Sequence, residues 1–306
     1  MPSLNWEGIF YFFLSRPDFL SSGQIVTGTS KVFVCTGDGT IRTFKEEGVA
    51  GAIPVLGTDF NYTGSCEVID DSNDVDGTQW RIKFKTSGIL TFTTKQLVDV
   101  FIVNGGKAGT DGSKATTPSH LGDGGDGGLG GGTGTFKNIT ITPVIENTIT
   151  IAGAAGGSSA FGKSVSTMLS TGTIGKGGYN YSEDGHAQFS PATSGKGGVA
   201  EFGDPAATYY AGAGGGGASG RLPTSSAIQG ASGSNGGGKG GASGYRTSGS
   251  GSNAICVPGS SGSSGTANTG GGGGGGGGGS YGKQGNIAGG AGSGGSGIVI
   301  IRKHKD

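Results

Sequence analysis

Residues 270–279 read GGGGGGGGGG, and the flanks keep the same character in 259–269 (GSSGSSGTANT) and 286–297 (NIAGGAGSGGSG). What the chain does with this stretch decides its fold. Collagen needs glycine strictly at every third residue and abundant proline. Ten successive glycines, irregular spacing elsewhere and only Pro118, Pro143, Pro191, Pro205, Pro223 and Pro258 after residue 104 exclude it. Glycine–serine tracts are otherwise flexible coil. That reading is opposed by apolar, strand-like interruptions at 135–144 (TFKNITITPV), 146–151 (ENTITI) and 298–301 (IVII). An isolated hairpin is barely stable, so these strands need something to pack on, and they are expected to join 97–103 (LVDVFIV) in one sheet.

An ordered solution for polyglycine exists. Extended left-handed helices with three residues per turn rise about 3.1 Å per residue and have no internal hydrogen bonds, so ten glycines span about 31 Å. Side by side they satisfy one another's peptide groups, because no Cβ holds the backbones apart. Ordering costs roughly 1–2 kcal/mol of backbone entropy per residue, so the mutual hydrogen bonding must be dense. A packed array of such polyglycine-II helices on a β-sheet base is the expectation, with unstructured loops as its alternative.

Glycine supplies 74 of 306 residues, 11 of them in residues 1–104 and the other 63 in the last 202. Hydrophobic residues reach 32% and charged residues 14%. Folding therefore does not lean on one large core, and the uneven split of glycine into two regions argues against a single α/β enzyme domain, a TIM barrel or a helical bundle. The charge balance of 21 basic and 21 acidic residues leaves no bulk field for nucleic acid or an anionic membrane. Three cysteines, Cys35, Cys66 and Cys256, are too few for a disulfide framework. Cys35 and Cys66 read as small buried hydrophobes, and a bridge between them stays open.

The region before the glycines reads as short strands. Residues 31–36 (KVFVCT) meet 40–44 (TIRTF) across Gly37, Asp38 and Gly39, and 52–56 and 65–70 are further strands. Residues 79–86 alternate, with Trp80, Ile82 and Phe84 on one face and Arg81, Lys83 and Lys85 on the other, expected to be solvated. A turn at Ser87 and Gly88 then leads into 89–94. The fold class expected is all-β: an N-terminal attachment segment in residues 1–24, a small antiparallel β-sandwich-like domain in 25–96, and a glycine-rich domain in 97–306. Residues 9–14 (IFYFFL) are too short for a membrane span and lack the basic flank of a signal peptide. Trp6, Phe10, Phe13 and Leu14 are candidates for docking on another chain or assembly, or for folding back on the first domain.

Residues 157–164 (GSSAFGKS) match the phosphate-loop pattern, but in a region this rich in glycine, serine and threonine the match is weak, and no helix pattern follows it. Residues 70–77 (DDSNDVDG) resemble part of a calcium loop, yet Lys83 stands where a bidentate glutamate is needed. His120, His186 and His304 are scattered, and no nucleophile elbow is present. Glu183, Asp184, Glu201 and Asp204 are the carboxylates that would have to pair for sugar hydrolysis, but acidic residues on polar loops are ordinary. No enzyme activity, cofactor or metal is expected.

Turns between rods would collect at an end of the array, where sequence varies without disturbing packing. The non-glycine islands supply candidate recognition residues: Tyr179, Tyr181, His186, Phe202, Tyr209, Tyr210, Arg221, Tyr245 and Arg246. Tyrosine gives rigid amphipathic contact. The competing reading is that Phe202, Tyr209 and Tyr210 plug the ends of the rods.

The segments 97–106 (LVDVFIVNGG), 139–157 (ITITPVIENTITIAGAAGG), 159–162 (SAFG) and the close in GGSGIVIIR together resemble the glycine-rich modules of bacteriophage tail fibres, fibre-tip adhesins and related virion proteins. The resemblance implies a polyglycine-helix core carrying host-recognition loops, in a tail fibre or fibre-tip protein that binds a bacterial surface glycan or outer protein non-covalently. A structural virion component (baseplate, collar or capsid decoration) and a carbohydrate-cleaving tail enzyme are the alternatives. The expected partners are other virion proteins through the N-terminal region, in an oligomeric assembly, with no nucleic acid and no membrane insertion. The protein would be made in the host cytoplasm without a signal peptide.

Overall fold

The computed structural model describes residues 25–27, 31–35, 44–48, 53–70, 80–162, 173–181, 188–189, 192–197, 199–200, 209–221, 226–283 and 286–304. The chain forms two compact units, residues 1–53 and 54–306. In the first, β1 (Ile25–Thr27), β2 (Lys31–Cys35) and β3 (Phe44–Gly48) make an antiparallel sheet in that order. The expected hairpin is present, but its second strand starts at Phe44, paired with Cys35, later than the sequence pattern placed it.

The second unit is built on two sheets. One has five strands in the order β5 (Cys66–Asp70), β6 (Trp80–Phe84), β18 (Ile298–Lys303), β8 (Gln96–Val103) and β9 (Thr133–Ile141). The other has four, in the order β11 (Ala160–Phe161), β10 (Asn147–Thr150), β7 (Gly88–Phe92) and β4 (Phe60–Tyr62). Their facing sides share one core. Phe60, Leu90, Phe92, Ile149 and Phe161 meet Trp80, Ile82, Phe84, Val98, Val100, Ile102, Val299 and Ile301, all buried. The class is all-β, as the sequence predicts.

Four expectations are corrected here. The boundary at residue 96 does not exist: β5 and β6 share a sheet with β8, β9 and β18, and β10 and β11 lie beside β7. Neither β6 with β7 nor β9 with β10 forms a hairpin. Each turn carries the chain from one sheet to the other, which alternation cannot reveal because both sheets present the same period. Arg81 is also 2% exposed rather than solvated. The face it shares with Lys83, Phe101, Val103, Ile298 and Ile300 is covered, in part by a second cluster in which Tyr210 and Ala211 pack on Phe101, Val103, Ile298 and Ile300. Residues 53–56, expected as a strand, make a turn around Asp59, whose carboxylate accepts from Val55 N–H at 2.8 Å.

Beyond β8 and β18 the glycine segments run as extended chains outside any sheet. Residues 270–279 are their axis, fully buried. Amides of Gly272, Gly275 and Gly278 donate to the carbonyls of Gly212, Gly215 and Ala218. Those of Gly273, Gly276 and Gly279 donate to Lys107, Thr110 and Ser113, and those of Gly274 and Gly277 to Ser263 and Ser260. The axial carbonyls accept with the same step of three: Gly270, Gly273, Gly276 and Gly279 from Gly131, Gly128, Gly125 and Gly122; Gly271, Gly274 and Gly277 from Gly295, Gly292 and Gly289; Gly272, Gly275 and Gly278 from Gly238, Gly241 and Gly244. These bonds measure 2.6–3.0 Å. The two remaining axial amides, Gly270 and Gly271, donate to Ser296 O and Thr269 Oγ1.

No peptide group of the axis is left without a partner, and each unmade bond would have cost about 1–3 kcal/mol. Successive residues address different neighbours, so one chain is held by six. The approach is close enough to require glycine: a Cβ on Gly275 would lie 1.9 Å from Gly125 O, and one on Gly217 2.0 Å from Gly276 O.

Candidate recognition surface

The hydrogen-bond register gives the array two ends. At the near end Asn104 follows β8, Gly297 precedes β18, and Gly270 N–H bonds Ser296 O. Residues 106–113, 212–218 and 238–244 run away from the sheets alongside the axis, and 122–131, 260–263 and 289–295 run back. Turns therefore gather at the far end, their described residues being 114–121, 221 with 226–228, 245–258, and 281–283 with 286–288. A fifth joins them. Gly124 N–H bonds Gly178 O and Gly127 N–H bonds Gly175 O, so residues 175–178 also run outward and deliver Tyr179 to the far end. There β12 (Asn180–Tyr181) pairs with β13 (Gln188–Phe189). By contrast β14 (Val199–Ala200) pairs with β15 (Tyr209–Tyr210) at the near end, where Tyr210 meets the sheet.

Tyr179, Arg221, Tyr245 and Arg246 are thus brought to one end. Arg221 N–H donates to Gly244 O at 2.9 Å and Arg221 bridges Tyr245 in parallel. Ser280 Oγ donates to Arg221 O at 3.1 Å, tying the axis to the same turn. β16 (Tyr245–Ser248) pairs with β17 (Ile255–Val257) as a bulged ribbon, and Cys256 turns inward to donate from Sγ to Tyr281 O at 3.1 Å. Lys283 N–H bonds Ala254 O at 2.9 Å and Gly259 N–H bonds Ile287 O at 3.0 Å. Tyr179 is 59% exposed.

Tyr210 is a correction. It is 5% exposed, its ring lies edge-on to Phe101, and burial pushes its hydroxyl up to about 12. A ring committed to the sheet cannot also present itself to a receptor, so the plug reading holds for this residue. Tyr181 and Tyr209 are located in strands, but their side chains, together with His186, Phe202 and the N-terminal candidates Trp6, Phe10, Phe13 and Leu14, lie outside the described residues, as do Glu183, Asp184, Glu201 and Asp204.

The sequence reading missed several far-end residues. Ile255, Val257 and Ile287 are exposed there at 54%, 38% and 58%, and Lys114 and Lys283 are exposed as well. Their signal was available: each lies in an island between glycine runs. The phosphate-loop match is spent on packing. Ser159 is fully buried, donates from Oγ to Val103 O at 2.7 Å and accepts from Ala152 N–H, while Phe161 lies in the core. Cys66 and Cys256 carry free thiols, and burial raises the Cys66 pKa. Among the described residues no group of three His, Cys, Asp or Glu side chains is placed to hold a metal ion, and no helix is long and apolar enough to cross a membrane.

No family model matches the chain, and no similar curated protein or solved structure was found.

Proposed function

We propose that the glycine segments are polyglycine-II helices packed side by side, and that the protein is a bacteriophage virion protein, a tail fibre or fibre-tip component that attaches to the host surface by non-covalent binding. The helical assignment is supported by the three-residue step with which residues 270–279 address six neighbours, since a chain with three residues per turn points every third peptide group the same way. Attachment is supported by one observation above the rest. Five turns of unrelated sequence converge on the far end of a lattice whose axial backbone is fully paired. A rigid support of this kind pre-pays the ordering entropy that binding would otherwise cost, and such scaffolded loops commonly carry recognition. The N-terminal residues Trp6, Phe10, Phe13 and Leu14 are assigned the attachment to neighbouring virion proteins.

The test uses the full chain, fluorescently labelled, against a panel of intact bacteria, alongside immunogold labelling of phage particles. Cell-surface labelling that is lost in a Tyr179→Ala, Ile255→Ser, Ile287→Ser variant of unchanged thermal stability is the expected result. Gold on particles with no labelling of any cell would instead assign the chain a structural place in the virion.

A further inference from the structure

Charge is segregated along the array. The four far-end turns 114–121, 221–228, 245–258 and 281–288 carry Lys114, Arg221, Arg246 and Lys283, one full cation each, and not one aspartate or glutamate. None of the four forms an ion pair among the described residues. Carboxylates along the flanks are engaged instead: Asp111 accepts from Ala291 N–H at 2.6 Å, and Asp126 accepts from Gly177 N–H at 2.6 Å and pairs with Lys176 at 2.9 Å. Asp123, one residue inside the lattice, is the nearest described carboxylate in sequence to these turns, and Glu183 and Asp184 belong to the fifth turn, outside the described residues.

The cations are also held together by backbone. Gly279 N–H bonds Ser113 O beside Lys114, Ser280 Oγ bonds Arg221 O, Arg221 bridges Tyr245 beside Arg246, and Lys283 N–H bonds Ala254 O in the turn that pairs with Arg246. Tyr245 bridges Arg221 and adjoins Arg246, Tyr179 is delivered to the same end, and an aromatic face next to cations suits a ligand that is part apolar ring face and part anion. In a chain with zero formal net charge, such a surface steers anions only locally.

From this charge complementarity we infer that the far end binds an anionic bacterial surface glycan, its carboxylate or phosphate groups held by Lys114, Arg221, Arg246 and Lys283. The inference rests on the attachment reading and names its ligand class. The experiment measures binding of the labelled full chain to immobilised polygalacturonate (carboxylate), glycerol teichoic acid (phosphate), neutral dextran and duplex DNA, at low and high salt. Preference for one or both anionic glycans over dextran, weakening with salt, is expected. The K114Q/R221Q/R246Q/K283Q variant should bind at least about tenfold more weakly, the product of four solvent-accessible contacts each worth a few-fold, whereas K95Q/K137Q, whose lysines are exposed on the sheet base, should be unchanged. Circular dichroism and thermal unfolding confirm that both variants fold. Equal binding to dextran, equal capture of DNA, or equal loss in both variants overturns the inference. Cell labelling that survives in the quadruple variant sinks the inference but leaves the attachment reading standing, while absence of cell labelling by the unaltered chain sinks that reading.

Discussion

Phe101 and Tyr210 lie edge to face with ring centroids 5.9 Å apart, at an interplanar angle of 61°. One belongs to the five-stranded sheet and the other to the short strand that leads into the outgoing glycine segment 212–218, so this contact couples the two halves of the unit. Lys83 Nζ lies 5.9 Å from the centre of the Tyr210 ring, on the covered sheet face that also carries Arg81. Tyr210→Ala should therefore lower the stability of the protein by about 3 kcal/mol or more, the range for emptying a buried aromatic site. Chemical denaturation measures it. At low temperature, where the variant stays folded, cell binding should be unchanged, since the ring is absent from the far end. In the unaltered protein, spectrophotometric titration should find Tyr210 ionising only near 12, because burial disfavours the phenolate.

Two glycines, one inside the axis and one on a chain running back beside it, separate close approach from mere flexibility. At Gly275 a methyl group would meet Gly125 O at 1.9 Å, a backbone atom that cannot turn away. At Gly290 the nearest atoms, Asp111 Oδ1 and Ser261 Oγ, are 3.7 Å off. Gly275→Ala must push two hydrogen-bonded chains apart and should cost about 3 kcal/mol or more. Gly290→Ala should be neutral or stabilise by about 0.4–1 kcal/mol, by restricting the unfolded chain. Comparing the two thermal midpoints checks the claim: equal effects would mean that the lattice is not packed.

The same geometry shows what the sequence could and could not tell. In 106–113 glycines recur at 106, 109 and 112, and each Cβ would strike the axis at Gly271, Gly274 or Gly277 O. In 122–131 two of every three residues are glycine, one set facing residues 104–113 and the other facing 211–217, while Asp123, Asp126 and Leu129 occupy the outer position. Along the axis every residue is glycine. Glycines per triplet thus count the close neighbours, a local rule that vanishes when spacing is judged over the whole region. Strands such as Trp80–Phe84 were legible from alternation. Their assignment to sheets was not, nor was the burial of Arg81, because a strand carries no record of what covers its second face. The far-end position of Arg221 and Arg246 followed from turns being where glycine stops, but the near-end position of Tyr210 depends on the direction of each chain, which only the register supplies.

If the axis is held as its hydrogen bonds indicate, amides of residues 272–279 should exchange with solvent slower than in a free peptide by about three orders of magnitude or more, the factor that about 4 kcal/mol of protection gives. They should also exchange as a group, since opening one chain unpairs six. Mass spectrometry of peptides covering 270–279 reads this directly. Exchange at free-peptide rates would return the region to unstructured loops and remove the support from the turns.

Asp99 makes the last prediction. It is 2% exposed in β8, at an irregularity in its pairing with β9, and it accepts from three directions: Arg302 Nε at 3.3 Å, His304 Nδ1 at 2.6 Å and Asn138 N–H at 3.1 Å. Burial alone would raise its pKa, but the hydrogen bonds from His304 and Asn138, the charge of His304 and the bond from Arg302 outweigh it and hold the carboxyl below its ordinary value. A carboxyl with a lower pKa folded than unfolded contributes stability that is fully present above the unfolded value, near about 3.9, and is lost as pH falls through the folded value. The protein should therefore destabilise below about pH 4, and Asp99→Asn should flatten that slope. Near neutral pH the same substitution should cost about 3–5 kcal/mol, because it removes the buried carboxylate that the largely buried Arg302 and His304 share. Urea denaturation of both proteins across pH 3–7 measures slope and offset together. A variant with an unchanged acid slope would show that β18 is not fastened to β8 and β9 through this carboxylate.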